Sequence, residues 1–379
     1  MTTPDNNSAQ EEPILLGSDP DENEDSIAEP FDPEQIRVDT RPLTIDLLLN
    51  RIKYEELDLA PDFQRKDSIW NPRTQSRLIE SILVRIPLPA FYMDATNEDK
   101  WVVIDGLQRL TTLKQFALDK SLKLTQLEFL LDLNNKNFDE LPRNLQRRIT
   151  ETQVTVYLIE KGTPPEVKFN IFRRINTGGL PLSLQEIRHA LNQGKSTKFL
   201  EKLSKLPEFK KAIANSISDQ RMGDREFILR FLAFVINPYN EYKATEFDSF
   251  LSGVMGKINK MDDKELTKLE EGFKKSMIAA YNIFGNDAFR KRYKVDAPRV
   301  PINKALFESW AVNLSKLNQE QIFTLIQKKD LVRAKFIDLM NDRKTEPRFE
   351  SAISQGTGDI KKVKRRFSAI EQLIQEVLA

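Results

Sequence analysis

The chain of 379 residues has no cysteine and only one histidine. The first absence excludes disulfides, thiolate metal sites, iron–sulfur clusters and a cysteine nucleophile, and it points to an intracellular setting. The second excludes multi-histidine metal centres and any nuclease module that needs two or more histidines. The lone His189 lies in the helix-like stretch QEIRHALN and reads as structural. Long apolar runs are also lacking, so no segment approaches the length needed to span a bilayer. The acidic, Asn- and Ser-bearing start lacks the basic-then-apolar order of a secretory leader. These absences lead us to expect a soluble cytoplasmic protein with no membrane partner.

Basic residues are missing from residues 1–36, which carry eleven acidic groups and few apolar ones. Such a segment buries too little apolar surface to offset the entropy of ordering, and we expect a disordered acidic tail. The whole chain carries a net +1, so the remainder carries +12. A basic body suits nucleotide or nucleic-acid partners and is also common in proteins that bind neither.

From about 37 to 195, short helices alternate with short strands. TIDLLLNRIK (44–53) has a helical pattern. NPRTQSRLIESILVRI (71–86) opens with an N-cap Asn and a first-turn Pro, and places Leu78, Ile79, Ile82, Leu83 and Ile86 at helical spacing. AFYMDA (90–95) and WVVID (101–105) flank a polar TNEDK turn, the pattern of a hairpin. A helix begins near Leu107. After a polar insertion, QVTVYLIEKG (153–162) reads as a strand and PPEVKFNIFRRI (164–175) as a helix. Beyond about 196 strand signals give way to amphipathic helices at 227–236, 264–284, 304–314, 319–330 and 359–378. The expected organisation is therefore α+β: a tail over 1–36, an α/β domain over 37–195 and a mainly α-helical domain over 196–379. In the last helix Lys361, Lys362, Lys364, Arg365 and Arg366 load the first turns with positive charge, against the helix dipole, which makes them candidates for contact with DNA.

One textual trace of a phosphate loop, LNQGKS (191–196), fails: the pattern needs glycine where His189 stands and a strand where the chain has a helix. More informative is WVVIDGLQRLTTL (101–113), where an apolar strand runs into Asp105-Gly106 and Gln108 and Arg109 open the next helix. A helix start offers unpaired N–H groups, and an arginine there adds a planar fork of donors suited to phosphate. Read alone, the same turn is also an ordinary strand exit with a solvated arginine. Three more segments accompany it in order: Phe63-Gln64-Arg65, Phe172 to Asn176, and Gly178-Gly179 through Ser183, Glu186 and Arg188.

This arrangement, FQR…W…DGxQRLTTL…FxRINTGGxPLS…E, resembles the N-terminal domain of GmrSD-type restriction endonucleases over roughly residues 40–195. That group usually reads DGQQR; here Leu107 replaces the first Gln, while Asp105, Gly106, Gln108 and Arg109 are retained. FESAISQGTGDIKKVKRR (349–366) also resembles the closing stretch of such domains. The resemblance implies a ParB/sulfiredoxin-like core, binding and hydrolysis of nucleoside triphosphate with Mg²⁺, and a role in restriction of, or defence against, foreign DNA. Relatives commonly carry or pair with a His-Asn-His type nuclease, for which this chain has too few histidines, so cutting is expected from a separate protein.

On this reading Arg109 contacts the phosphates, Asp105 holds Mg²⁺ or orients Arg109, and Gln108 positions the attacking water. Arg65 and Arg174 neutralise further phosphate charge, and Gln64 and Asn176 fix geometry or recognise base or sugar. Gly106, Gly178 and Gly179 permit close backbone approach, and Glu186 supports one of the arginines. The alternative is a non-catalytic module that binds DNA or a partner on the same fold.

Overall fold

The computed structural model describes residues 37–59, 70–175, 183–243 and 246–379, apart from the side chains of 165, 166, 174, 175 and 220. The expected acidic tail therefore lies outside the described residues. The described residues divide into two units: Lys198–Asp219 with Gly223–Ala379 form one, and those from 37 to 197, joined by Gln220–Met222, form the other.

The N-terminal unit is built on a five-stranded mixed sheet, β1 (Val38–Thr44), β2 (Leu57–Asp58), β3 (Phe91–Asp94), β4 (Trp101–Asp105) and β5 (Gln153–Ile159), in the order β1-β5-β3-β4-β2. The TNEDK turn joins β3 and β4 as an antiparallel pair, β5 lies parallel to β3, and β1 pairs antiparallel with β5 along its whole length. Its helices are α1 (Ile45–Lys53), α2 (Pro72–Leu83), α3 (Leu107–Leu113), α4 (Arg143–Thr150), α5 (Pro165–Ile175) and α6 (Leu184–Leu191), and α3 runs on through a π turn at Lys114–Leu118.

Local chemistry sets the helix starts. The Thr44 hydroxyl accepts the Leu47 N–H to cap α1, and the Asn71 side chain accepts the Thr74 N–H ahead of Pro72 in α2. Alternation along the strands then sends side chains to two faces. Phe91, Met93, Val103, Val156 and Leu158 pack with Ile45, Leu48, Ile79 and Leu110, whereas Ile104 and Ile159 pack with Phe169 and Phe172 of α5 and Ile187 of α6. Each such side chain contributes about 1.5–3 kcal/mol when fully buried.

The polar insertion before β5 is better packed than its composition suggests. Leu122, Leu124, Leu133, Leu141 and Ile149 are all buried. Glu80 of α2, itself buried, accepts the N–H groups of Glu128, Phe129 and Leu130 at 2.7–3.0 Å, so one carboxylate satisfies three backbone donors of a turn. Burial pushes the Glu80 carboxyl up, but these N–H groups and the Arg77 charge outweigh it and hold the group below its ordinary value.

The second unit is helical among its described residues: α7 (Lys195–Ser204, whose first turn belongs to the N-terminal unit), α8 (Pro207–Ala212), α9 (Gly223–Ile236), α10 (Phe247–Lys260), α11 (Asp263–Phe284), α12 (Lys304–Lys316), α13 (Gln319–Gln327), α14 (Lys329–Asn341), α15 (Phe349–Ala352) and α16 (Ile360–Leu378). Every residue of α12 from Ala305 to Leu314 is buried, the mark of a central helix. The helix expected over 319–330 breaks at Lys328, whose backbone leaves the helical region and whose ammonium donates to the Val377 carbonyl at 2.8 Å. The molecule is thus α+β, with a small sheet in the first unit and helices in the second. No described helix is long and apolar enough to cross a membrane.

Candidate functional site

β4 ends at Asp105, and the chain turns through Gly106 at φ +99° before α3 begins. A Cβ on Gly106 would sit 2.3 Å from Cδ1 of Phe91, so both the backbone angle and the neighbouring ring require glycine. That tight turn lays the Arg109 guanidinium over the Phe91 ring, 4.3 Å from its centroid.

The fork of Arg109 is directed inward. Nη2 donates to the Ala90 carbonyl and to Asp105 Oδ2, each at 3.0 Å, and Nη1 donates to the Pro89 carbonyl. With the residue only 8% exposed, burial draws the guanidinium below its usual range while the Asp105 charge opposes that shift. The expectation that Arg109 contacts phosphate is corrected here. Its two terminal nitrogens are spent on the strand-leading carbonyls and on Asp105, so it braces the β4 exit against the segment entering β3.

Asp105 differs. Its side chain is 33% exposed, only Oδ2 is engaged, and no described residue donates to Oδ1. The β3–β4 register pairs it with Tyr92 next to an irregularity between Tyr92 and Met93. The Tyr92 ring stacks on Tyr157 with centroids 4.8 Å apart. Burial raises the Tyr92 hydroxyl, and Tyr157 and Asp105 add to the rise against the Arg109 charge. The β4 exit therefore presents one carboxylate oxygen, clamped from behind by a buried cation and flanked by a phenol.

Gln108, expected to position water, accepts the Trp70 N–H through Oε1 at 3.2 Å and so anchors the chain where it enters α2. Gln64, Arg65, Asn176, Gly178 and Gly179, and the side chain of Arg174, lie outside the described residues. Glu186, expected to support one of the arginines, is 1% exposed and closes a capping box at α6, accepting the Ser183 N–H at 2.6 Å while its own N–H donates to the Ser183 hydroxyl at 3.2 Å. Arg221 Nε lies 3.9 Å from the same carboxylate. The S-x-x-E spacing from Ser183 to Glu186 is the signal for this cap.

Sequence reasoning did not single out Tyr92 or the Asp94–Lys168 pair. Lys168 of α5 reaches both Asp94 oxygens at 3.0 and 3.2 Å, with both side chains largely buried, and ties α5 to the end of β3. A separation of 74 residues hides such a partnership from local patterns.

The basic run of the helical unit divides sharply. Arg366 is 0% exposed, donates to Glu308 Oε1 through Nε at 2.8 Å and to the Thr357 carbonyl through Nη1 at 2.7 Å, and is therefore removed from the candidate DNA contacts. Arg365 is also mostly buried, with Nε on the Pro347 carbonyl at 3.0 Å. Lys362 reaches the Gln355 carbonyl at 2.6 Å, and only Lys361 and Lys364 stand exposed without a described partner.

Residues 45–193, well under half of the chain, match the family described as GmrSD restriction endonuclease, N-terminal domain. No curated protein matches the chain. The matched span begins with α1, ends just after α6 and contains the whole Asp105–Arg109 turn with its Phe91 and Tyr92 surroundings. The segment from Ile45 to Gln193 belongs to the GmrSD restriction endonuclease N-terminal domain family.

Proposed function

We propose that the chain is a component of a DNA-restriction or defence system and that its N-terminal unit binds and hydrolyses nucleoside triphosphate at the β4 exit. The observation that carries this reading is the half-engaged Asp105 carboxylate, with one oxygen fixed by buried Arg109 and the other open. Asp105 is then the group that meets the ligand, and Arg109 is a positioning residue behind it.

Among the described residues no three His, Asp or Glu side chains gather into a metal site. A single carboxylate suits Mg²⁺, which keeps several waters and takes its remaining ligands from substrate phosphates. Asp105 is the residue that would hold that ion. When bound with nucleotide, the ion supplies charge neutralisation on the phosphates. Tyr92 offers a neutral hydroxyl beside the same carboxylate. Gln64, Arg65, Arg174, Asn176, Gly178 and Gly179 remain the proposed phosphate, sugar and base contacts. DNA and a separately encoded nuclease are the proposed partners, because one histidine leaves no room for a His-Asn-His centre in this chain.

A second reading, a non-catalytic module for DNA or a partner protein, is favoured by the inward-facing donors of Arg109. Phosphate release from Mg²⁺-nucleoside triphosphate by the purified chain, with and without duplex DNA, separates the two. Turnover that falls at least about tenfold in a folded Asp105→Ala variant supports the hydrolase. No release under any of these conditions leaves the non-catalytic module.

A further inference from the structure

Arg365 acts as a clamp, and what it clamps is basic. Its Nε holds the Pro347 carbonyl and its Nη2 lies 3.8 Å from Asp342, which folds segment 342–347 across the early turns of α16. The Thr345 hydroxyl, the Lys344 N–H and the Arg365 charge keep the Asp342 carboxyl below its ordinary range. On the other side of this segment Asn341 Nδ2 donates to the Tyr293 carbonyl at 3.0 Å, bringing the turn that carries Lys294 to the same edge.

Five cations are thereby gathered: Lys294, Arg343, Lys344, Lys361 and Lys364. All five are exposed, and none has a carboxylate partner among the described residues. Three of the acids within these segments are occupied elsewhere, and Asp296, two residues after Lys294, is the exposed exception. Asp342 faces Arg365, Glu346 pairs with Arg348 at 3.2 Å, and Asp359 caps α16 by accepting the Lys362 N–H. Lys361 lies three residues before Lys364 and four before Arg365, so these side chains share one face of the helix. They also stand near the positive end of its dipole, where cations are unfavourable. Nothing in the packing of the unit requires this concentration of unneutralised charge, and a polyanion would relieve it.

We propose that Lys294, Arg343, Lys344, Lys361 and Lys364 form a surface that follows the phosphate backbone of a nucleic acid, with Arg365 as the internal clamp that assembles it. The proposal rests on the reading of DNA as a partner and assigns the contact to the helical unit. Contacts of this kind position a protein on nucleic acid without reading its sequence, and they release counterions.

The test is fluorescence anisotropy of the full chain with labelled duplex and single-stranded DNA from about 50 to 200 mM salt. The comparison is with Arg343→Glu, Lys344→Glu, Lys361→Glu and Lys364→Glu combined, and with a control of Lys264→Glu and Lys268→Glu at the exposed start of α11. The wild type should bind with a steep salt dependence. The fourfold variant should bind on the order of 100-fold more weakly at low salt, with a log–log slope shallower by about 3 to 4, while the control stays within about twofold. A fourfold Gln version with an unchanged melting curve should show a smaller loss of the same kind. Wild-type binding that survives the reversal overturns this surface and leaves the DNA reading intact. No binding by the wild type to either DNA overturns the DNA reading itself and the surface with it.

Discussion

Each unit buries an arginine against a carboxylate, and the two arrangements end differently. In the helical unit Arg366 and Glu308 are both 0% exposed, and Arg230 approaches the second Glu308 oxygen at 3.6 Å, so both carboxylate oxygens face internal cations. In the N-terminal unit Arg109 is equally committed to internal acceptors, yet its carboxylate partner keeps one oxygen open and a third of its side-chain surface in solvent. Buried charge pairs are costly to form and more costly to break. A carboxylate sealed from solvent between two cations is therefore structural, whereas one that keeps an oxygen in solvent is pre-oriented for something outside. That contrast, more than the presence of arginine, separates a brace from a candidate site.

The contrast is broken most severely at its closed end. Glu308→Ala strips the buried Arg366 of its carboxylate partner while Arg230 keeps Glu226 at 3.1 Å, and we expect a loss of about 3–5 kcal/mol in denaturant unfolding followed through the helical unit. Next comes Arg109→Ala, which strands the Pro89 and Ala90 carbonyls and the buried face of Phe91. A loss on the order of 2–4 kcal/mol is expected, read as a lower melting temperature. If that variant melts like the wild type, Arg109 is not the brace described here.

A third test concerns a carboxylate held mainly by backbone N–H groups. The folded state holds Glu80 below its ordinary value through three N–H donors. The stabilisation is therefore fully present above the unfolded-state value near 4.5 and is lost as the pH falls through the lowered folded value. Glu80→Gln should flatten the acid limb of the stability–pH curve in that window and cost about 1.5–3 kcal/mol at neutral pH. An unchanged acid limb contradicts the assignment. The smallest effect is expected at Tyr239, whose hydroxyl donates to Glu371 at 2.5 Å and whose pKa burial and that carboxylate raise to about 12. Tyr239→Phe should cost about 1 kcal/mol and remove a late-titrating tyrosine from the ultraviolet absorbance titration.

Elements with local signals were readable from sequence. Asn71-Pro72 announces α2, the TNEDK turn announces the β3–β4 hairpin, and the helical second half follows from apolar spacing. β1 was not readable, because VDTRPLT is polar and proline-bearing and becomes a strand only through pairing with β5 more than a hundred residues later. An edge position tolerates such a sequence. At the candidate site the Asp105-Gly106 turn was legible, but the direction of Arg109 was not, since it depends on carbonyls 19 and 20 residues upstream. Arg366 carried an overlooked signal. It stands three residues after Val363 and four before Ile370, on the apolar stripe of α16 rather than on its charged face. Glu186 likewise announced its cap through Ser183.

The most direct test of the central claim uses Asp105→Asn, which keeps an acceptor for Arg109 while removing the charge offered to Mg²⁺ and nucleotide. Calorimetric titration of Mg²⁺-nucleoside triphosphate into the wild type and this variant, matched for melting temperature, should show binding weakened at least about tenfold in the variant. Equal affinity in the two proteins would contradict the assignment of Asp105 as the outward-facing group.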